Sequence, residues 1–221
     1  AISSYTDSIP PPNIVIAYGE QANLYAELGM YDRALQLNAE AQHYSLLKDS
    51  FGLGDLYRYR ASIFGQTKNK DSIFYYLNQA EKVSALQGSF KGVFVNKVIT
   101  AEAYLEYPDS VQKALTLALS ICPDSSRMPQ WAKYELELHL GRALLQTGKA
   151  AQGISLIEKA AQGFIGMDMK SREQKANDIL MDYYLDMNMK DAFIRCYKRS
   201  QTFTDSLNSA EKMRAVAAAN I

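Results

Sequence analysis

Turn-forming residues are scarce in this chain. Its 221 residues include only 12 Gly and 6 Pro, and three of those prolines stand together at 10–12. So few chain breakers predict a mostly helical fold. Cysteine is nearly missing as well. Cys122 and Cys196 are too few for a disulfide framework; pairing, metal ligation and simple burial all fit them, and burial is the commonest state of a free cysteine. Neither sign of charge is in excess, since 24 Lys+Arg face 24 Asp+Glu. A nucleic-acid binder needs a surplus of Lys and Arg on one face, so none is expected here. No apolar run approaches the roughly 20 residues of a membrane span. The opening Ala1-Ile2-Ser3-Ser4-Tyr5 has neither the basic nor the apolar part of a secretory signal, which leaves a cytosolic chain or one whose signal has been removed.

Catalytic motifs are missing too: there is no G-x-S-x-G, no Walker-type loop and no H-E-x-x-H. His43 and His139 are the only histidines, and a zinc site needs more ligands at helical spacing. The chain is therefore expected to be no enzyme, to bind no metal and to carry no cofactor. What is present is an ordinary folded composition, 48% hydrophobic and 22% charged, which excludes a disordered chain, a collagen or a disulfide scaffold.

One pattern then recurs along the chain. Tyr18-x2-Gln21-Ala22-x2-Tyr25 is followed by Ala34 and Ala41. Tyr57-x2-Arg60-Ala61-x2-Phe64 is followed by Ile73, Leu77 and Ala80. Lys97-x2-Thr100-Ala101-x2-Tyr104 leads to Ala114, Ala118 and Ile121. Glu137-x2-Leu140-Gly141-x2-Leu144 leads to Gly153, Ile157 and Ala160. Asn177-x2-Leu180-Met181-x2-Tyr184 leads to Phe193 and Tyr197. The starts at 18, 57, 97, 137 and 177 are 39, 40, 40 and 40 residues apart. Apolar residues at three and four predict one apolar helix face in each half. Breaks such as Leu28-Gly29-Met30-Tyr31-Asp32 and Thr147-Gly148-Lys149 are short enough to force antiparallel neighbours. Gly29, Gly148, Asn69 and Asn188 are candidates for the left-handed residue that ends a helix, and Asp109 after Pro108 for the N-cap of the next. Ala22, Ala61, Ala101 and Gly141 would let the paired helix approach closely. Met181 breaks that rule and predicts a differently packed fifth pair.

Five such units in register resemble the tetratricopeptide repeat (TPR) family, whose pattern is W-x2-L-G-x2-Y, then A-x3-F, then P, at a period of about 34. The resemblance runs from 15 to about 203. Its Trp position holds Tyr18, Tyr57, Lys97, Glu137 and Asn177, the closing Pro is mostly absent, and the longer period predicts extra residues in each pair. It implies an all-α, right-handed α-α superhelix, a TPR-like solenoid of about five helix pairs plus a C-terminal helix. The layout is a flank at 1–14, repeats at 15–53, 54–93, 94–133, 134–173 and 174–203, and a capping or connector helix at 204–221. In that last segment Leu207, Ala210, Met213 and Val216 or Ala217 recur in helical phase up to Ile221, as in a helix that continues into a downstream module.

Asp71-Ser72 and Asp109-Ser110 before second helices, with abundant Tyr, are similar to the sensor regions of bacterial membrane-anchored transcriptional regulators and histidine kinases. That resemblance implies a non-catalytic protein- or peptide-binding region on the periplasmic side of the inner membrane, with a membrane span just after it; the cytoplasm is the other compartment open. The alternative function is a free-standing scaffold or adaptor that assembles a protein complex. In the family, residues one and five after the Trp position line the concave groove. Here these are Gly19 and Asn23, Arg58 and Ser62, Val98 and Glu102, Leu138 and Arg142, Asp178 and Asp182. The expected partner-binding residues are Asn23, Arg58, Ser62, Glu102, Arg142, Asp178 and Asp182. Arg58 and Arg142 would hold an anion or an acidic side chain. The family's carboxylate clamp does not carry over, because Gly19 and Asn23 stand where it uses Lys and Asn. Asp178 and Asp182, at i and i+4, repel each other and could take a cation or a basic partner.

Overall fold

The computed structural model describes residues 12–47 and 52–198, with the side chains of 12–14 and 125 left aside. Every regular element among the described residues is helical. In chain order these are α1 (Pro12–Glu27), α2 (Tyr31–Leu46), α3 (Leu53–Gln66), α4 (Lys70–Leu86), α5 (Phe90–Leu105), α6 (Val111–Ile121), α7 (Gln130–Gln146), α8 (Ala150–Gly166) and α9 (Lys170–Asp186). A tenth helix, α10, covers 190–198. Among them α1 pairs with α2, α3 with α4 and α7 with α8. Short 3-10 turns, Pro108–Ser110 and Cys122–Arg127, flank α6. The expected cuts at 54, 94, 134 and 174 fall inside α3, α5, α7 and α9, because the recurring motif sits in mid-helix and not at its cap. The segment expected as a terminal helix, 204–221, lies outside the described residues.

One C-terminal cap recurs six times and explains the short joints. After α1, the amide of Met30 donates to the Tyr25 carbonyl at 2.9 Å and Gly29 to Ala26 at 2.9 Å, with Gly29 at φ 76°. The same pair of bonds closes α3, α4, α7, α8 and α9. This double bond around one left-handed residue satisfies the last carbonyls of a helix and reverses the chain. Gly148 and Asn188 take the left-handed place as expected, at φ 82° and 54°. Asn69 does not: Lys68 takes it at φ 54°, and Asn69 caps α4 by accepting the Ser72 amide at 3.1 Å. Asp109 is likewise not the cap of α6. It lies within the 3-10 turn, accepts the Ser110 hydroxyl at 3.1 Å, and leaves Ser110 as the residue before α6.

The chain divides into two compact units, residues 1–103 and 104–221. In the first, α1 packs on α2 and α3, and α3 on α4. Its buried clusters are small and rimmed with tyrosine. Ala22, Ala26, Ala34, Leu37 and Ile63 are flanked by Tyr18, Tyr25 and Tyr31; Val15, Ala41 and Leu56 are flanked by Tyr18, Tyr44 and Tyr59. Buried amides tie helices together. Asn38 donates to the Leu56 carbonyl at 2.9 Å and accepts from Gln42 at 2.6 Å. In the second unit α7 packs on α6 and α8, and α8 on α9. One larger buried cluster there includes Leu138, Ile157, Phe164, Leu180 and Tyr184. The helices α7 and α8 touch through glycine. A Cβ on Gly141 would lie 2.8 Å from the Gly153 carbonyl and 2.7 Å from Ile157, closer than packed atoms tolerate. The expected small positions are buried throughout: Ala22, Ala61, Ala101 and Gly141. Met181 is half-buried and packs against the cluster of the second unit.

Candidate functional site

First helices of adjacent pairs are neighbours in the first unit, and there they bring expected site residues together. The Ser62 hydroxyl of α3 donates to Asn23 Oδ1 of α1 at 3.3 Å. Asn23 Nδ2 in turn donates to Glu27 at 3.0 Å. Ser62 is exposed, and Asn23 and Glu102 are half-buried. Beside this pair the Tyr59 ring lies on Gly19, where a Cβ would come within 2.9 Å of its carbons. Glycine at 19 therefore lets a tyrosine cross between the two first helices.

Arg58 has a different place from the one expected. Its side chain is only 16% exposed. One terminal nitrogen donates to Asn96 Oδ1 at 2.9 Å, and the other pairs with Asp55. Asn96 then donates to the Ser84 hydroxyl at 3.1 Å. Burial pulls the Arg58 guanidinium below its ordinary range, with the Tyr59 phenol acting against it. Arg142 in the second unit is also taken, bonded to Glu106 at 2.6 Å. Neither guanidinium is a vacant receptor for an acidic side chain, because each already holds a carboxylate.

Leu138 and Val98, expected in the groove, are buried. The reason is rotation. Residues one and five after the motif start differ by four, hence by about 40° around the helix. That is enough to turn the first toward a packed neighbour and leave the second open. The open position is the later one: Asn23, Ser62, Glu102, Arg142 and Asp182 are half-buried or exposed. On α9, Asp178 accepts from Gln174 at 2.7 Å, which fixes it along the helix, and Asp182 is exposed.

Two constellations were missing from the sequence reading. In the second unit Glu135, 9% exposed, accepts from Arg172 Nε at 2.5 Å and lies 3.3 Å from His139 Nε2. The Arg172 guanidinium rests over the Trp131 ring at 4.9 Å. His139 is buried. Glu135 and His139 share the i, i+4 spacing on α7, a signal the sequence carried; the partner on α9 could not be read from it. In the first unit Arg60 stacks on Tyr76. The two cysteines are free, Cys122 half-buried and Cys196 buried. Among the described residues no three His, Cys, Asp or Glu gather as metal ligands, and no helix is long and apolar enough to cross a membrane.

No protein-family model matches the chain and no curated protein matches it in sequence. Solved structures do match. A Podosopora anserina protein of nearly identical TPR-like repeats, named for kinesin light chain, aligns in two crystal structures. They give TM-scores of 0.61 and 0.59 at 12% identity, covering 90% and 89% of this chain and 98% of that one. The fold is TPR-like. A third TPR-bearing match is a Signal Transduction ATPase with Numerous Domains from Pyrococcus horikoshii, which has a tetratricopeptide repeat sensor. It aligns at TM-score 0.55 and 16% identity over 90% of this chain and 30% of that protein.

Proposed function

We propose that this TPR-like chain is a non-catalytic module that binds a protein or peptide along the inner faces of its first helices. In the finer reading it is the sensory or interaction region of a bacterial membrane-anchored signalling or transcriptional regulator. The observation that carries the binding reading is the Asn23–Ser62 pair. Two polar side chains from adjacent first helices meet at 3.3 Å where neither is needed to fill a core. Glu102 holds the same open register position in that unit; in the other, Arg142 and Asp182 hold it, with Asp178 one turn before Asp182. Arg58 acts from beneath by holding Asp55 and Asn96 in place, and the remaining surplus of acid suits a partner with basic or amide groups. The sensor reading draws on the P. horikoshii protein, whose TPR region is a sensor. A free-standing scaffold is the second reading, favoured by the P. anserina match, in which repeats of this fold make up nearly the whole chain.

Photo-crosslinking separates these faces. A photoreactive residue at position 62 or 182 should capture a protein in host cells, and one at position 36, exposed on the second helix α2, should capture none. Capture from 36 alone would move the site to the second helices. Sequence downstream of Ile221 encoding a membrane span and output module supports the regulator, and a stop codon there the scaffold.

A further inference from the structure

One arginine outside the expected site, Arg60, is buried at Nε and holds no anion among the described residues. Arg60 stands two residues from Arg58, about 200° around α3, and therefore on the far side of that helix. Its neighbours at i−4, i−3, i+3 and i+4 are Leu56, Tyr57, Ile63 and Phe64, so no carboxylate on its own helix can reach it. Its guanidinium lies 5.1 Å from the centre of the Tyr76 ring on α4. The residues a turn away from Tyr76 are Ser72, Ile73, Gln79 and Ala80, again without an acid. Arg60 Nε is buried and has no hydrogen-bond acceptor, and no ion pair holds the group among the described residues.

Everything around it fixes the ring on which it rests. Phe64 stacks on Tyr76 at 5.5 Å with planes 2° apart. Tyr57 stacks at 6.1 Å and 25°, and exposed Tyr75 meets the same ring edge-on at 5.0 Å. A guanidinium seated over an aromatic ring can still use its terminal amino groups for planar, two-pronged bonding to an oxyanion. The cation–π contact holds the charge without neutralising it. The second unit shows what the fold itself asks for here. Leu140 and Leu180 occupy the same register as Arg60, and both are buried. A leucine is therefore sufficient for packing, and the arginine brings a charge that packing does not require.

We propose that Arg60, on its Tyr57–Phe64–Tyr76 platform, is an oxyanion-binding site that takes the carboxylate or phosphate group of a ligand reaching α3 and α4 from solvent. It stands apart from the first-helix faces and does not depend on their role. With Nε buried and the side chain half-buried, the two terminal amino groups are the part that meets the ligand.

The test is a side-chain NMR titration of the full chain with inorganic phosphate, and separately with acetate, against chloride at matched ionic strength. The Arg60 Nε–Hε signal and the Tyr76 ring signals should move saturably with one or both oxyanions and not with chloride. Exposed Arg195 should move only in proportion to salt. Saturation by phosphate alone assigns a phosphoryl ligand, and saturation by acetate a carboxylate. Arg60→Leu, the residue that the second unit uses, should keep the thermal unfolding of the parent and abolish the Tyr76 shift. Tyr76→Leu should weaken binding about two- to fivefold, the worth of one exposed cation–π contact. Arg60 shifts that track those of Arg195, that chloride reproduces, or that leave Tyr76 unmoved overturn the site. So does an unchanged Tyr76 response in Arg60→Leu.

Discussion

Residues up to Ala103 and residues from Tyr104 onward fill one repeating register with different chemistry. The third place after each motif start holds Gln21, Arg60 and Thr100 in the first unit and Leu140 and Leu180 in the second. The first unit sets its helices apart with tyrosines and ties them with buried amides, as Asn38 does to Leu56 and Asn96 to Ser84. The second closes α7 on α8 through Gly141 and Gly153 and concentrates its buried charge in one group at Glu135. Helix pairs thus need only small residues at the crossing and an apolar stripe. What fills the rest of the interface is free to vary, and function can occupy it.

The largest break in this comparison should come at the crossing of α7 and α8. Gly141→Leu drives side-chain carbons into the Gly153 carbonyl, which is backbone and cannot rotate away. It should cost about 3 kcal/mol, the upper end for overpacking. Ala61→Leu in the first unit overpacks a buried site and should cost about 1–2 kcal/mol. Trp131 is the sole tryptophan and reports on the second unit, so its fluorescence should register the first variant far more than the second. Parent-like melting of both would mean that neither position lies at a helix crossing.

Next in size are the charges. Glu135→Ala leaves Arg172 and His139 without their carboxylate. The expected loss is about 2 kcal/mol, short of the roughly 3–5 of a fully buried pair because Arg172 is partly exposed. Asp55→Ala removes an exposed partner from Arg58, which keeps Asn96, and should cost about 0–1 kcal/mol. Urea midpoints of the two variants test the ratio. Equal losses would mean that burial does not separate the two pairs.

The spacing of 39 or 40 residues was enough to anticipate the run of ten helices among the described residues, because periodicity and capping are local. The site was only half legible for a physical reason. Which positions open to solvent depends on some 40° of rotation, and sequence spacing does not resolve that for Arg58 or Leu138. Ion pairs between helices were invisible for another reason. Glu106 meets Arg142 across 36 residues of chain, and Arg172 meets Glu135 across 37. The i, i+4 link of Glu135 to His139 was readable, and so was the lack of any acid within a turn of Arg60. Both call for asking of each charge what could neutralise it locally.

Caps should separate the units by a smaller amount. Asn69 accepts from Ser72 at the start of α4, whereas Lys149 before α8 makes no side-chain cap bond. Asn69→Ala should cost about 1 kcal/mol, and Lys149→Asn should gain about 0.5–1 kcal/mol. Thermal unfolding of the two variants should therefore move in opposite directions.

The smallest expected difference is the order in which alkaline pH weakens the units. In the second unit the Cys122 thiol is pushed above its ordinary 9.0, first by burial and then by Glu137. In the first the Tyr59 phenol is pushed above its ordinary 10.0, first by burial, then by Glu20, with Arg58 opposing. Both groups are neutral acids that the folded chain keeps protonated longer than the unfolded chain does. The unfolded chain therefore releases the proton first as pH rises, and stability falls. Each contribution is whole below the unfolded value and disappears as pH climbs through the folded one. The thiol window opens about one unit lower. The urea midpoint seen by Trp131 should start to fall above pH 9.0, while the tyrosine-rich unit holds until above 10.0. Cys122→Ser should delay the Trp131-detected fall, and Tyr59→Phe should flatten only the later loss of helicity in the first unit. Lys159, raised by its bond to Glu137, loses its favourable charge in the same direction, but it is too exposed to contribute much. If Cys122→Ser leaves the Trp131-detected midpoint unchanged at every pH, burial of that thiol does not set the alkaline limit of the second unit.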